Sequence, residues 1–210
     1  MIKEFEKRFI TSLILLPISI FFIIKGSIFF IFFLSILFLV TSYEWVLMSK
    51  KNNIFRFLGI VFLFFSFYSA FEFGENYKDF LFIITICIFT DLGGYIFGNI
   101  FKGPKLTKIS PKKTYAGVFG GLILSFVTGF IFWHYVDNGR ILPDEEIIIL
   151  IFILFISLIS QIGDLIISYF KRKAKLKDTG KILPGHGGLL DRIDGLIFVM
   201  PVIYISTFLI

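Results

Sequence analysis

The chain has 210 residues, of which 57% are apolar and 17% charged, and a net charge of +6. Its mean hydropathy of +0.90 is that of a membrane protein, and its length is that of one domain. The one cysteine, Cys87, lies in an apolar run; this excludes an internal disulfide and a zinc-binding Cys set, and Cys87 reads as a small core hydrophobe.

Apolar runs at 9–24, 27–48, 54–73, 80–101, 115–136, 147–170 and 196–210 predict about seven transmembrane helices in an all-α integral membrane protein. Eighteen of the 21 Lys and Arg fall in the N-terminal tail and the second, fourth and sixth connections, all on one side; only Lys25, Lys78 and Arg140 fall on the other. The positive-inside rule then predicts a cytoplasmic N-terminus, an external C-terminus and charged loops open to the cytoplasm. The basic residues before 9–24 imitate a signal peptide, but no small-residue cleavage site follows, so a retained first helix is expected.

Residues 1–79 read as a scaffold of three helices, and 80–210 as a catalytic membrane part of four helices with two basic loops, the two forming one integrated unit. Pro17 predicts a kink in the first helix. Glu44, in Tyr43-Glu44-Trp45, reads as an interfacial acid beside an aromatic anchor rather than a group pointing at a site. The fourth helix carries Asp91, 11 residues before Lys102. A regular helix puts it about 16 Å inside the cytoplasmic surface. An ionisable group at that depth costs at least about 2.5 kcal/mol unless paired or wetted, and predicts a site role. Gly94 and Gly98 form a small-xxx-small pair suited to close helix packing.

The loop from Lys102 to Thr114 holds five lysines. Two readings stay open: attraction to anionic lipid headgroups, or phosphate binding by Ser110, Lys112, Lys113 and Thr114. Thr114 is a candidate N-cap for the fifth helix, whose amides would then face an anion. His134, near that helix's external end, reads as no ligand, and the acidic loop 137–146 as solvated. Asp164 and Ser168, four apart on the sixth helix, share a face, with Asp164 about 10 Å inside the membrane.

The stretch 161–195 collects seven Lys and Arg, four carboxylates and a glycine-interrupted backbone between two apolar runs. Carboxylates at helix ends among so many cations suit a hard metal ion, Mg2+, and a polyphosphate. The glycines would let backbone N–H groups approach anionic oxygens. His186, on flexible backbone, could donate to a phosphate or orient a ligand. No nucleophilic Cys, Gly-x-Ser-x-Gly elbow or P-loop is present.

The pattern Ser168-x-x-Lys171-Arg172-x4-Lys177-Asp178-x-Gly180-x-x-Leu183-Pro184-x-His186-Gly187-Gly188-x-x-Asp191-Arg192-x-Asp194 resembles the signature of the phosphatidate cytidylyltransferase (CDP-diacylglycerol synthase) family. Asp91-x-Gly93-Gly94-Tyr95-x-Phe97-Gly98 and Ser110-Pro111-Lys112-Lys113-Thr114 are similar to two further blocks, so the resemblance covers about 90–201. The chain departs from the family at Ala116 and Ile167, where Glu is usual, which puts the secondary carboxylates in doubt, and it is shorter than typical bacterial members.

The resemblance implies transfer of CMP from CTP to phosphatidate, with CDP-diacylglycerol and pyrophosphate as products. It implies a metal centre at Asp164, Asp191 and Asp194, supported by Asp178, with Mg2+ as cofactor and a second cation left open. Lys177 and His186 complete the implied catalytic set. Asp91, Ser110, Lys112, Lys113, Thr114, Ser168, Lys171, Arg172, Gly187, Gly188 and Arg192 form the implied substrate-binding set. The implied partners are CTP, phosphatidate and the bilayer of the inner (cytoplasmic) membrane, with no nucleic acid; a homodimer is compatible with the glycine-rich helices and the short N-terminal part. Two other readings compete. A CTP-dependent polyprenol or phytol kinase lacks the full His-Gly-Gly-x-x-Asp-Arg pattern, and an ion-coupled transporter predicts an inverted repeat that is not seen.

Overall fold

In lipid every backbone polar group must be bonded within the chain, so an apolar sequence of this kind is driven to helices. The computed structural model describes residues 2–50, 52–74, 76–136 and 145–207. Among them are seven helices: α1 (Ile2–Lys25), α2 (Ser27–Met48), α3 (Asn53–Phe73), α4 (Tyr77–Phe101), α5 (Tyr115–Val136), α6 (Glu146–Lys173) and α7 (Leu196–Ser206). Helices α2 to α6 are each long and apolar enough to cross a membrane. The apolar part of α1 (Phe9–Lys25) and the 11 residues of α7 are shorter. At 1.5 Å per residue α7 reaches only about 16 Å, so the expected seventh span is half a membrane deep over its described part. Its last three residues, and most of the expected external loop (137–144), lie outside the described residues.

Local chemistry sets the helix ends. Gly26 (φ 62°) and Ser27 (φ 47°) turn the chain between α1 and α2, and α1 continues through Pro17. Asn52 accepts a hydrogen bond from the Phe55 N–H (3.1 Å) and so caps α3, while Thr114 accepts from the Gly117 N–H (3.1 Å) and caps α5. Lys102 (φ 52°) and Gly103 (φ 87°) end α4.

Two glycine junctions bring the helices together. Between α4 and α5 the backbones touch: a Cβ on Gly117 would stand 2.8 Å from Gly94 O, and one on Gly121 would stand 2.8 Å from Thr90 O. The close packing expected of Gly94 and Gly98 is thus met inside the chain by α5, and these glycines carry no argument for a dimer. Between α6 and α7, a Cβ on Gly163 would stand 2.9 Å from Asp194 O. The main core lies between these junctions, with Phe82, Ile83 and Ile86 from α4, Ile149, Ile153 and Ile156 from α6, and Val199, Met200 and Ile203 from α7. A second cluster of Trp45, Met48, Leu63, Ile167, Leu190 and Ile197 underlies the charged loop.

The outward faces are apolar: Leu39, Phe64, Phe119 and Ile151 are each more than 60% exposed. A continuous belt of this kind far exceeds what a soluble monomer presents to water and suits lipid. The chain is a multi-pass membrane protein.

Gly93→Leu would drive a side chain into the Gly120 backbone and should destabilise the protein by about 1–3 kcal/mol, as overpacking does. Gly94→Ala adds a Cβ that meets Gly117 O at an ordinary 3.6 Å and should cost under about 0.5 kcal/mol. Unfolding of the two variants in detergent micelles, followed by intrinsic fluorescence, measures the difference.

Candidate active site

The site forms where the C-terminal halves of α2, α4 and α6 meet the start of α5 and the segment just before α7. Helix α6 carries its apolar run directly into Lys171, Arg172 and Lys173, and its spacing puts Asp164, Ser168 and Lys171 on one face. Ser168 Oγ donates to Asp164 Oδ1 (3.2 Å), and Lys113, just before α5, forms an ion pair with Asp164 Oδ2. Lys171 Nζ donates to Asp191 Oδ1 (2.8 Å), an ion pair that is almost wholly buried.

Asp194, 5% exposed, accepts from the Gly195 N–H (3.0 Å) and faces the Asp164 carboxyl within hydrogen-bonding reach. Asp91 approaches both from α4 and opens into a cavity. Burial, with the Asp164 and Asp91 carboxylates beside it, pushes the Asp194 carboxyl well above the usual carboxylate range. The Lys113 ammonium, ion-paired with Asp164, sets one positive charge beside these carboxylates.

The loop between α6 and α7 folds around carboxylates rather than around open amides. Leu183 and Gly187 exchange backbone hydrogen bonds (3.0 and 3.2 Å), which requires the positive φ of Gly185 (77°) and Gly187 (89°). Asp191 Oδ2 accepts from the Thr179 N–H (2.8 Å) and the Gly188 N–H (3.1 Å). The amides of Gly187 and Gly188, expected to approach phosphate oxygens, are therefore committed within the protein, to Leu183 O and to Asp191. Arg192 donates twice to His186 O (3.2 and 2.6 Å) and stays exposed. Arg172 donates to Ile109 O (3.4 Å) and so ties this loop to the 102–114 loop. Lys112, Lys177 and Asp178 are exposed at the rim, and Ser110 is half-buried, its N–H donating to Thr107 Oγ1 (3.1 Å).

Glu44 departs from its expected place. It is 0% exposed, and its carboxylate accepts from the Leu189 N–H, the Leu190 N–H and the Thr179 hydroxyl. Its neighbour Trp45 is the reason: the indole packs edge-on against Phe170 (centroids 5.1 Å) and donates to the backbone of α3, so that face of α2 points inward. The signal in the sequence was a lone charge in an otherwise uncharged 22-residue helix.

A cavity of about 520 Å³ adjoins the site. Its walls are mostly apolar, from Leu16, Phe33, Leu37, Phe67 and Met200 among others, while Asp91, His186 and Arg192 reach it from the charged end. Helix α1 closes one side: Thr11 Oγ1 donates to Pro184 O (3.0 Å), and Ser12 Oγ lies 3.3 Å from His186 Nε2. The N-terminal helices, expected as scaffold, thus supply walls and contacts to the site.

Among the described residues no three carboxylate, imidazole or thiol groups converge as a ready metal site. Asp164 and Asp194 are the pair able to share a cation. Two carboxylates are enough for a hard ion such as Mg2+, which keeps several waters and takes the rest of its oxygens from phosphates. Asp191, also expected as a ligand, here accepts from Lys171 Nζ and from the Thr179 and Gly188 N–H groups.

Comparison with known proteins gives a consistent answer. The model of the cytidylyltransferase family matches residues 53–210, a range that reaches back to α3. A phosphatidate cytidylyltransferase of Staphylococcus saprophyticus is 42% identical over 132 residues, which is 62% of this chain and 49% of that protein. Those of Staphylococcus haemolyticus and Staphylococcus aureus (strain COL) are 40% and 41% identical over 150 residues, 71% of this chain and 55% of theirs. The chain spans about half the length of the curated relatives it matches. The match covers every charged group described at the site except Glu44, and the chain belongs to the cytidylyltransferase family.

Proposed function

We propose that the protein transfers CMP from CTP to phosphatidate, giving CDP-diacylglycerol and pyrophosphate. The observation that carries the reading is the junction of a carboxylate pair, Asp194 buried and Asp164 half-buried, flanked by Lys113 and Lys171, with an apolar cavity. A diacyl lipid with a phosphate head needs both halves of such a site, and the named relatives are phosphatidate cytidylyltransferases.

In this reading a phosphatidate oxygen attacks the α-phosphorus of CTP. The new O–P bond forms as the bond from the α-phosphorus to the bridging oxygen breaks, and pyrophosphate leaves with that electron pair. The attacking oxygen is already anionic at neutral pH, so little proton transfer is needed. The barrier lies in bringing anions together, and catalysis is positioning plus electrostatics. Lys113 and Lys171 neutralise phosphate oxygens from opposite sides, each held in place by a carboxylate, Asp164 and Asp191. Arg192 and His186 meet the lipid phosphate where the cavity reaches the loop, and Ser110, Lys112, Arg172 and Lys177 extend the cationic wall along the triphosphate.

Asp164 and Asp194 would hold Mg2+, which supplies positive charge to the triphosphate and the departing pyrophosphate. Asp191 could reach that ion only by releasing Lys171. The reading extends to the inner membrane, with the N-terminus and both basic loops on the cytoplasmic side, where CTP is. The one-sided distribution of Lys and Arg supports it.

Three outcomes are expected. Purified protein with Mg2+ releases pyrophosphate only when CTP and phosphatidate are both present; release with either alone contradicts the reading. Asp164→Asn lowers the rate by about 100-fold or more, through loss of a charged ligand and of the partner of Lys113, and EDTA abolishes the rate in wild type. In a Cys87→Ala background, a cysteine at position 108 reacts with a membrane-impermeant maleimide only in inverted vesicles and one at position 78 only in right-side-out cells or spheroplasts; the reverse pattern overturns the topology.

A further inference from the structure

We infer that Glu44 is a positioning residue for the transfer reaction, acting through the backbone of the loop that carries Asp191 and Asp194. The kinetic part of this inference rests on the proposed reaction, while its structural part stands on the geometry alone.

Glu44 Oε1 accepts from the Leu189 N–H (3.0 Å), and Oε2 accepts from the Leu190 N–H (2.8 Å) and the Thr179 hydroxyl (2.9 Å). No cation pairs with it among the described residues, so three donors compensate a fully buried carboxylate. An apolar side chain of similar volume would leave those three buried donors without an acceptor. What a carboxylate adds is direction: its charge-assisted hydrogen bonds fix where three donors stand.

The glycines of the loop divide by cause. Gly185 and Gly187 are there for their positive φ. Gly180 and Gly188 have no such need, and their reason is room: a Cβ on Gly180 would strike Glu44 Oε1, and one on Gly188 would strike Thr179 Oγ1 and stand 2.6 Å from Glu44 Oε2. Gly180 makes room for Glu44 itself, and Gly188 for Glu44 together with the Thr179 hydroxyl that bonds to it.

Glu44 and Asp191 also grip the same two segments. Thr179 gives its N–H to Asp191 and its hydroxyl to Glu44; Gly188 gives its N–H to Asp191, and the next two amides go to Glu44. Asp191 in turn fixes Lys171, and Asp194 follows three residues later. A shift at Glu44 is therefore transmitted to the ammonium and to the carboxylate pair.

The test compares Glu44→Gln, Glu44→Asp and Ser157→Ala in the purified full chain. Gln nearly conserves shape but turns an NH2 toward donors, leaving at least one without an acceptor. Asp keeps the charge and is one methylene short. Ser157→Ala removes a buried hydrogen bond between α4 and α6 (2.8 Å) that touches no part of the loop. The readouts are kcat and KM for CTP per folded molecule, melting temperature, and hydrogen exchange at the Leu189 and Leu190 amides. Glu44→Gln should lower kcat about 100-fold, the scale of an ångström-sized misplacement, with KM changed by less than about threefold. Glu44→Asp should fall between it and wild type. Both should speed exchange at the two amides, whereas Ser157→Ala should lower the melting temperature and leave kcat and exchange alone. Wild-type kcat per folded molecule in Glu44→Gln overturns the inference. If wild type itself releases no pyrophosphate, the reaction reading fails, and exchange alone decides: equal protection of the two amides in wild type and Glu44→Gln then overturns the positioning role.

Discussion

A buried carboxylate must be met by a cation or by hydrogen-bond donors, and in this chain two carboxylates, one of them also paired with Lys171, meet the donors of one loop. Glu44 and Asp191 together take up the amides of Thr179, Gly188, Leu189 and Leu190 and the Thr179 hydroxyl. An irregular 22-residue connection at the membrane surface would otherwise expose those groups to a site that has to exclude water. With the backbone satisfied from inside, the side chains of Arg172, Lys177 and Arg192 are left facing outward, Lys171 is held inside against Asp191, and the amides of Gly187 and Gly188 serve the loop's own fold.

The helices bring the remaining groups together by backbone contact. The α4–α5 junction at Gly94, Gly117 and Gly121 puts Asp91 beside the first turn of α5, where Lys113 reaches Asp164. The α6–α7 junction at Gly163 presses Asp194 toward Asp164. Each junction needs a residue without a side chain at the crossing, and each crossing delivers a charged group from one helix to another. Asp194 lies just before α7, buried, and faces Asp164 rather than bulk solvent.

Much of this could be read from the residues. The apolar runs give the helices to within a few residues, apart from α1, which begins seven residues before its run. The spacing of Asp164, Ser168 and Lys171 gives the active face of α6, Thr114 gives the cap of α5, and the loop pattern gives the family. Glu44 was not legible, because its partners lie 135 to 146 residues away and two of the three are backbone amides, which leave no mark in a side-chain pattern. The pairing of Asp191 with Lys171 was hidden for a related reason: a carboxylate in a basic loop suits a metal and a lysine equally well, and residue spacing across a loop carries no distances. The contacts of Thr11 and Ser12 were hidden because hydroxyls in an apolar helix ordinarily bond to their own backbone.

The account treats the protein as a device for joining two anions, a lipid phosphate and a nucleotide, at one surface of the membrane. Its central claim is that the bond broken is the one between the α- and β-phosphates of the nucleotide. The direct test is to run purified protein with phosphatidate and CTP labelled at either the α- or the γ-phosphorus. The account predicts α-label in lipid and γ-label in pyrophosphate. Label from the γ-position in lipid would contradict it and make the protein a kinase.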